Sequence, residues 1–247
     1  MEKSISRNIK SKSRVENFGE VFTPDWMVKK MLEQPEIKAK TESLTATFLE
    51  SAAGEGAFLV EILKRKLYVA DQESTDAKEF GEKCLIALTS LYGIELLEDN
   101  IVMLVMNMVS EFNNVYIETI NRKYNEKADE HVLDSAKIII RANMVQGDAL
   151  KRQRRNGDPI IITEWELLPI KRGIRKIQRT EYTFDAIIEG NGPTGTVQQR
   201  YAEQLDLDLF SEEENKSLKL PSGDVEVECH YVPVKLTDIY KQLIEID

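Results

Sequence analysis

Three turns carry the residues best able to do chemistry: Gly54-Glu55-Gly56, Glu95, and Gln146-Gly147-Asp148. Each follows a short apolar run, and in open α/β sheets ligands gather at the carboxyl ends of the strands. Glycines let the backbone approach a ligand closely, and a helix starting beside them offers free amides to an anion. An acid ending the second strand can accept hydrogen bonds from a ribose diol, and Asp148 can accept from an adenine amino group. One such feature would be a plain turn. Three in succession describe a nucleotide-type pocket.

Other chemistries find little support. His131 and His230 have no carboxylate or cysteine partners at metal-ligand spacing, and they read as surface residues. No Gly-x-Ser-x-Gly elbow and no Gly-Lys-Ser/Thr phosphate loop occurs. Cys84 and Cys229 are the only two cysteines. A disulfide scaffold and a zinc ribbon are thereby excluded, and a reducing cytoplasm fits.

The elements that must position these turns alternate along the chain. Thr23-Pro24 suits a helix start over residues 23–34, with Val28, Met31 and Leu32 on one face. The pattern then predicts strands at 46–49, 91–94, 138–140 and 184–188. Between them it predicts helices at 57–67, 76–89 and 98–112. Strands separated by helices predict an α/β fold, a mostly parallel sheet with helices on both faces. Residues 151–183 read as an insertion, and 196–233 as a long polar loop. The methionines of 101–109, with Trp26 and Trp165, read as packing residues.

Composition bounds the answer further. The chain has 247 residues, 42% of them hydrophobic, and a formal net charge of −10. Such a chain can bury a core, so disorder throughout is excluded. Residues 1–14 lack the apolar stretch of a signal peptide, and 101–109 is too short and too interrupted by Asn107 to span a bilayer. The net charge excludes a protein that coats nucleic acid indiscriminately, yet the charge is uneven. Residues 151–179 hold nine Lys or Arg against three acids, and residues 1–14 hold five against one. Residues 203–214 are strongly acidic. Local basic patches can meet phosphate even on an acidic body.

Phe18-Gly19-Glu20-Val21-Phe22-Thr23-Pro24, Phe48-Leu49-Glu50-Ser51-Ala52-Ala53-Gly54-Glu55-Gly56, Tyr92-Gly93-Ile94-Glu95 and Gly147-Asp148-Ala149-Leu150 occur in that order. The order resembles S-adenosylmethionine-dependent DNA adenine-N6 methyltransferases of restriction–modification type, with the cofactor motifs ahead of target recognition. Ser51 stands where the family has proline. The resemblance covers residues 16 to about 195. It implies a Rossmann-like methyltransferase domain over 18–247 behind a basic arm over 1–17, in a cytoplasmic protein. It also implies that Phe22, Thr23, Glu50, Ala52, Gly54 and Gly56 serve the methionine side of the cofactor. Glu95 and Leu96 would serve the ribose, and Asp148 and Ala149 the adenine.

The family's fourth strand runs into Asn-Pro-Pro-Tyr, whose Asn and following carbonyl orient the amino group of a flipped-out adenine toward the methyl carbon. This chain has Glu189-Gly190-Asn191-Gly192-Pro193-Thr194. By resemblance Asn191 and Pro193 are the catalytic candidates, with one residue inserted before Asn191. Gly192 replaces a rigid proline and Thr194 the aromatic residue that stacks on the base. Residues 238–245 resemble the helix after the catalytic loop. The remaining C-terminal strands and a target-recognition domain are not seen. Two readings stay open: an active methyltransferase on double-stranded DNA, contacting it through residues 151–179, or a cofactor-binding but impaired chain that needs a specificity or restriction subunit. An interaction module without cofactor is a third. Relatives with Asn-Pro-Pro-Tyr also modify glutamine amides in proteins, but the Gly-Glu-Val-Phe-Thr-Pro start points to DNA.

Overall fold

The computed structural model describes Arg14, residues 23–191 and residues 229–246. Phe22, Pro193, Gly192, Thr194, most of the basic arm and most of the loop over 196–233 lie outside the described residues. The chain enters helix α1 (Asp25–Leu32) through Pro24, whose carbonyl accepts from the amides of Met27 and Val28; no side chain caps this helix. Helix α2 (Pro35–Thr41) starts on a proline, and strand β1 (Phe48–Glu50) follows. Helices α3 (Ala57–Glu73) and α4 (Ala77–Thr89) then lead to strand β2 (Leu91–Glu95). Asp76 caps α4 through the Glu79 amide, and Glu79 reaches back to the amide and hydroxyl of Thr75. This reciprocal pairing satisfies donors that a helix start leaves open.

Helix α5 (Glu98–Thr119) runs into a π-helical turn (Ile120–Tyr124), and α6 (Glu130–Asn143) feeds strand β3 (Met144–Gln146). The three strands form a parallel sheet in the order β1-β2-β3, with Glu50 beside Gly93 and Glu95 beside Gln146. Beyond β2, β1 has no strand partner among the described residues. The main core gathers Leu59, Leu63, Leu67, Phe80, Leu104 and Phe112, all buried.

Two predicted strands are helices. Residues 138–140 lie inside α6, because Val132, Ala136, Ile139 and Ile140 recur at helical spacing on its buried face and Asp129 caps the start. The strand begins only at Met144. Residues 184–188 lie in the short helix α7 (Phe184–Glu189). The Thr183 hydroxyl accepts from the Ala186 amide at its start, and Gly190, with φ of 71°, ends it. Local capping chemistry thus overrides the strand preference of Ile187 and Ile188.

The remaining sheets are antiparallel, so the sheet structure is not mostly parallel. Residues 151–183 contain a hairpin of β4 (Ile161–Leu167) and β5 (Lys176–Thr183), joined on β5 by β7 (Val234–Lys235). A second pair joins β6 (Cys229–Tyr231) to β8 (Ile244–Ile246). The helix expected over 238–245 is a 3-10 turn (Leu236–Lys241) followed by β8. Tyr92, Ile94, Ile160, Ile162 and Phe184 form a smaller core between β2 and the hairpin base. Asn143 reinforces this join: its amide donates to the carbonyls of Leu88 and Leu91, and its oxygen accepts from the Trp165 indole at 2.8 Å. No helix among the described residues is long and apolar enough to cross a membrane.

One cation sits deep in this fold. Lys66 on α3 is fully buried, and its ammonium donates to the carbonyls of Ser43 and Ala46 at 2.7 Å each, Leu44 at 3.2 Å, and the Ser90 hydroxyl at 2.8 Å. Burial pulls its pKa down to about 7. These bonds pin the segment entering β1 against the turn entering β2. Lys66→Met keeps the volume but strands three carbonyls without a donor. A loss of about 2–4 kcal/mol in chemical denaturation is expected, since unsatisfied buried acceptors cost about 1–3 kcal/mol each and partly rehydrate. Wild-type stability in that variant would show that the ammonium holds nothing in place.

Candidate functional site

The glycine turn after β1 is built on backbone geometry that side chains resist. Gly54 and Gly56 have φ of 55° and 89°. A Cβ on Gly56 would lie 2.4 Å from Leu104 Cδ1, so glycine is required there by conformation and by space. The turn is tied down by the Ala53 amide donating to the Ile94 carbonyl at 3.0 Å and the Gly56 amide to the Ala53 carbonyl at 2.8 Å. Gly56 is the residue before α3, and no side chain caps that helix.

Over this turn lies a cavity of about 380 Å³, lined by Thr23, Glu50, Ala52, Gly54, Gly56 and Asn107 among others. Its volume falls in the range of small-molecule sites, about 300–1,000 Å³. Five of the residues assigned to the methionine side are therefore brought together. Glu50 is the carboxylate that ends β1. Its Oε2 is buried with no hydrogen-bond partner, and burial, aided by the nearby Glu95 carboxylate, pushes its pKa up to about 7. The open start of α3 supplies the opposite preference, because the first amides of a helix attract anions. Lys29, exposed at the rim, adds a cation. Asp25, Glu55, Glu61, Glu111 and Lys64 also line the cavity, so a predominantly acidic wall with two lysines faces the start of α3. Glu50, with its buried oxygen, is the carboxylate on the strand before the glycine turn.

The residues assigned to the adenosine side do not line this cavity. Glu95 is buried, and its carboxylate is already occupied. Oε2 accepts from the Gly54 amide at 2.7 Å; Oε1 accepts from the Leu97 amide at 2.9 Å and the Asn100 amide group at 3.3 Å. A carboxylate has about four acceptor positions, so little is left for a diol without loosening the glycine turn. Leu96 is exposed beside it. Asp148 folds onto its own turn, accepting from the amides of Leu150 and Lys151 at 3.0 Å each, with the Lys151 ammonium 3.3 Å away. The Lys151 amide and ammonium hold its carboxyl below the ordinary range. Ala149 packs against the smaller core.

Asn191 lies elsewhere. It follows α7, its amide donates to the Ala186 carbonyl at 2.8 Å, and its exposed side chain donates to Glu189 at 3.0 Å. It borders a second cavity, with Leu49, Tyr92, Trp165 and Tyr182, rather than the glycine-turn cavity. The basic segment also divides once folded: Lys151 faces Asp148, Arg152 pairs with Asp185 at 3.0 Å, and Arg179 pairs with Glu181 at 2.9 Å. His131, exposed, stacks on Tyr240 at 4.9 Å. No group of metal-ligating side chains occurs among the described residues.

Two site residues escape a motif reading. Asn100 binds Glu95, and Asn107 donates to the Glu55 carbonyl at 2.9 Å, so α5 braces both ends of the glycine turn. Their spacing of seven, which puts both on one helix face, was the available signal. Comparison with family models, with curated proteins and with solved structures returned no match for this chain.

The raised pKa of Glu50 has a consequence for stability. Between the ordinary 4.5 and about 7 the folded chain binds more protons at this position than the unfolded chain. Stability therefore falls as pH rises through that window and is level above it. Glu50→Gln should remove this decline and be more stable than wild type at pH 8, by up to about 3 kcal/mol in chemical denaturation. Identical stability–pH curves for the two proteins would show that Glu50 is not strained by burial.

Proposed function

We propose that this chain binds S-adenosylmethionine over the Gly54-Glu55-Gly56 turn and is a DNA adenine-N6 methyltransferase of restriction–modification type. The observation carrying the reading is the cavity in which the unpartnered Glu50 oxygen stands beside the uncapped start of α3. The ordered motifs and the three parallel strands that end in Glu50, Glu95 and Gln146 support it, as the Rossmann-like arrangement expects. When bound, the sulfonium supplies an activated methyl group for direct displacement by the adenine amine.

The residues of the chain divide the work. Glu50 would hold the amino group and face the positive sulfur side of the ligand, while the amides at the start of α3 would receive the carboxylate. Glu95 keeps the glycine turn in its left-handed shape through the Gly54 amide. Asn191 would accept from the adenine amine, but it sits at the end of a short helix and is bonded to Glu189. That placement favours the second reading: a chain that holds the cofactor and transfers methyl poorly until a partner subunit or bound double-stranded DNA rearranges residues 184–191.

Calorimetry with S-adenosylmethionine tests the first part. Ionised Glu50 is the form that meets a cation, so affinity should rise about tenfold between pH 6 and pH 8, with most of the gain below pH 7. Glu50→Gln should abolish that dependence. No binding at either pH would sink the cofactor assignment. Methyl-labelled cofactor incubated with unmethylated genomic DNA tests the second part: label should enter DNA slowly and stop in Asn191→Ala, and transfer unaffected by that change would remove Asn191 from the reaction.

A further inference from the structure

The hairpin of β4 and β5 ends in a tip unlike the rest of this acidic protein. Beyond Leu167 and Ile177, the last residues paired between β4 and β5, the chain runs Leu168-Pro169-Ile170-Lys171-Arg172-Gly173-Ile174-Arg175-Lys176, and Lys176 also pairs with Lys235 of β7. The ribbon continues through the Leu168 amide, which donates to the Lys176 carbonyl at 2.9 Å. It closes at Lys171 and Ile174, whose amides and carbonyls exchange bonds of 3.1 and 3.0 Å. Arg172 and Gly173, with φ of 52° and 73°, form the turn. Two left-handed residues in succession match the twist of a two-residue hairpin turn, and Asn or Gly would take the first position more comfortably than arginine. A guanidinium is thus held at the apex at a local conformational cost.

Lys171, Arg172, Arg175 and Lys176 make no side-chain hydrogen bond or ion pair among the described residues, unlike Lys151, Arg152 and Arg179 in the same basic segment. No acid interrupts residues 168–176. Beside these cations Ile170 is 56% exposed and Ile174 41% exposed, with Pro169 next to them. A ribbon tip with free cations flanking exposed aliphatic side chains has the makings of a duplex wedge: cations take the phosphates on either side while an apolar residue enters between base steps and kinks the helix.

We propose that the hairpin tip over residues 168–176 is a DNA-binding wedge, with Lys171, Arg172, Arg175 and Lys176 on backbone phosphates and Ile170 and Ile174 entering the minor groove. The choice of duplex DNA as the partner rests on the methyltransferase reading and on one feature of the tip: residues 168–176 hold no Trp, Phe or Tyr, either to stack on unpaired RNA bases or to anchor the tip in a membrane interface. The protein carries a net charge of −10, so phosphate contact has to use a local basic patch such as this ribbon.

Fluorescence anisotropy of the full chain on a labelled random-sequence duplex reads the proposal. The variant Lys171→Gln/Arg172→Gln/Arg175→Gln/Lys176→Gln should bind at least about tenfold more weakly, and its log affinity should fall with log salt by about 3–4 less than wild type, one unit per lost phosphate. A control carrying Lys30→Gln, Lys40→Gln, Lys78→Gln and Lys127→Gln should bind like wild type. Ile170→Ser/Ile174→Ser should keep the salt slope and lose the bend, read by energy transfer between the duplex ends. Wild-type binding by the four-Gln tip variant, an equal loss in the control, or tighter binding to an RNA hairpin or to phosphatidylserine vesicles overturns the assignment. Bending unchanged in the Ser variant overturns the wedge. Calorimetric cofactor binding by the same variants separates the two readings: its absence in wild type defeats the methyl-donor site and leaves a DNA-binding ribbon standing.

Discussion

The Glu95 carboxylate is the joint on which sheet, glycine turn and α5 all depend. It is buried at the end of the central strand, where an unpaired charge would cost several kcal/mol. The chain answers with the Gly54 and Leu97 amides and the Asn100 side chain. One charge thereby fixes the turn after β1, the entry to α5 and the register between them. Burial chiefly raises the pKa of Glu50 one strand away, and the Glu95 carboxylate adds to that rise. Structure and candidate function are coupled at a single side chain.

Lys66 plays the complementary part at the other end of the sheet. Its ammonium collects the carbonyls of the segment before β1, while the Ser90 hydroxyl that accepts from it donates onward to the Ala87 carbonyl. A buried cation beneath the strand entries and a buried anion at the strand exits bracket a sheet that, among the described residues, has three short strands. Strands of three to five residues bury too little backbone pairing to be self-sufficient, so side-chain bonding to loops makes up the rest.

The free side of β1 and the helix α7 belong to one problem. A strand running 184–188 would be the natural neighbour in a larger sheet, yet Thr183 and Gly190 cap those residues as a helix. Asn191 is carried with them to the second cavity, where Leu49 of β1 is a neighbour. The part of the candidate site that follows β1 is assembled over the glycine turn, while the acids after β2 and β3 are bonded to their own surroundings. Residues 184–188 add no fourth strand to this sheet, so Asn191 stands apart from the glycine-turn cavity.

Much of this was legible in the residues themselves. The glycine turn, the acids at the ends of β1 and β2, and the helices with strong apolar periodicity follow from local stereochemistry and hydrophobic spacing, which act over a few residues and so are written in the sequence. Thr23, which reads as a cap, caps nothing. Where two local signals competed, as in Ile138–Ile139–Ile140 and Ile187-Ile188, β-branched residues suggested strands, and helical spacing or capping decided otherwise. What the sequence could not decide were relations between distant residues. That Glu95 spends its acceptors on Gly54 and Asn100, that Asn143 receives the Trp165 indole, and that Lys151, Arg152 and Arg179 are paired while four cations at the hairpin tip find no partner among the described residues all depend on contacts across the fold. Side-chain type sets what a residue can bond; only packing sets which partner arrives.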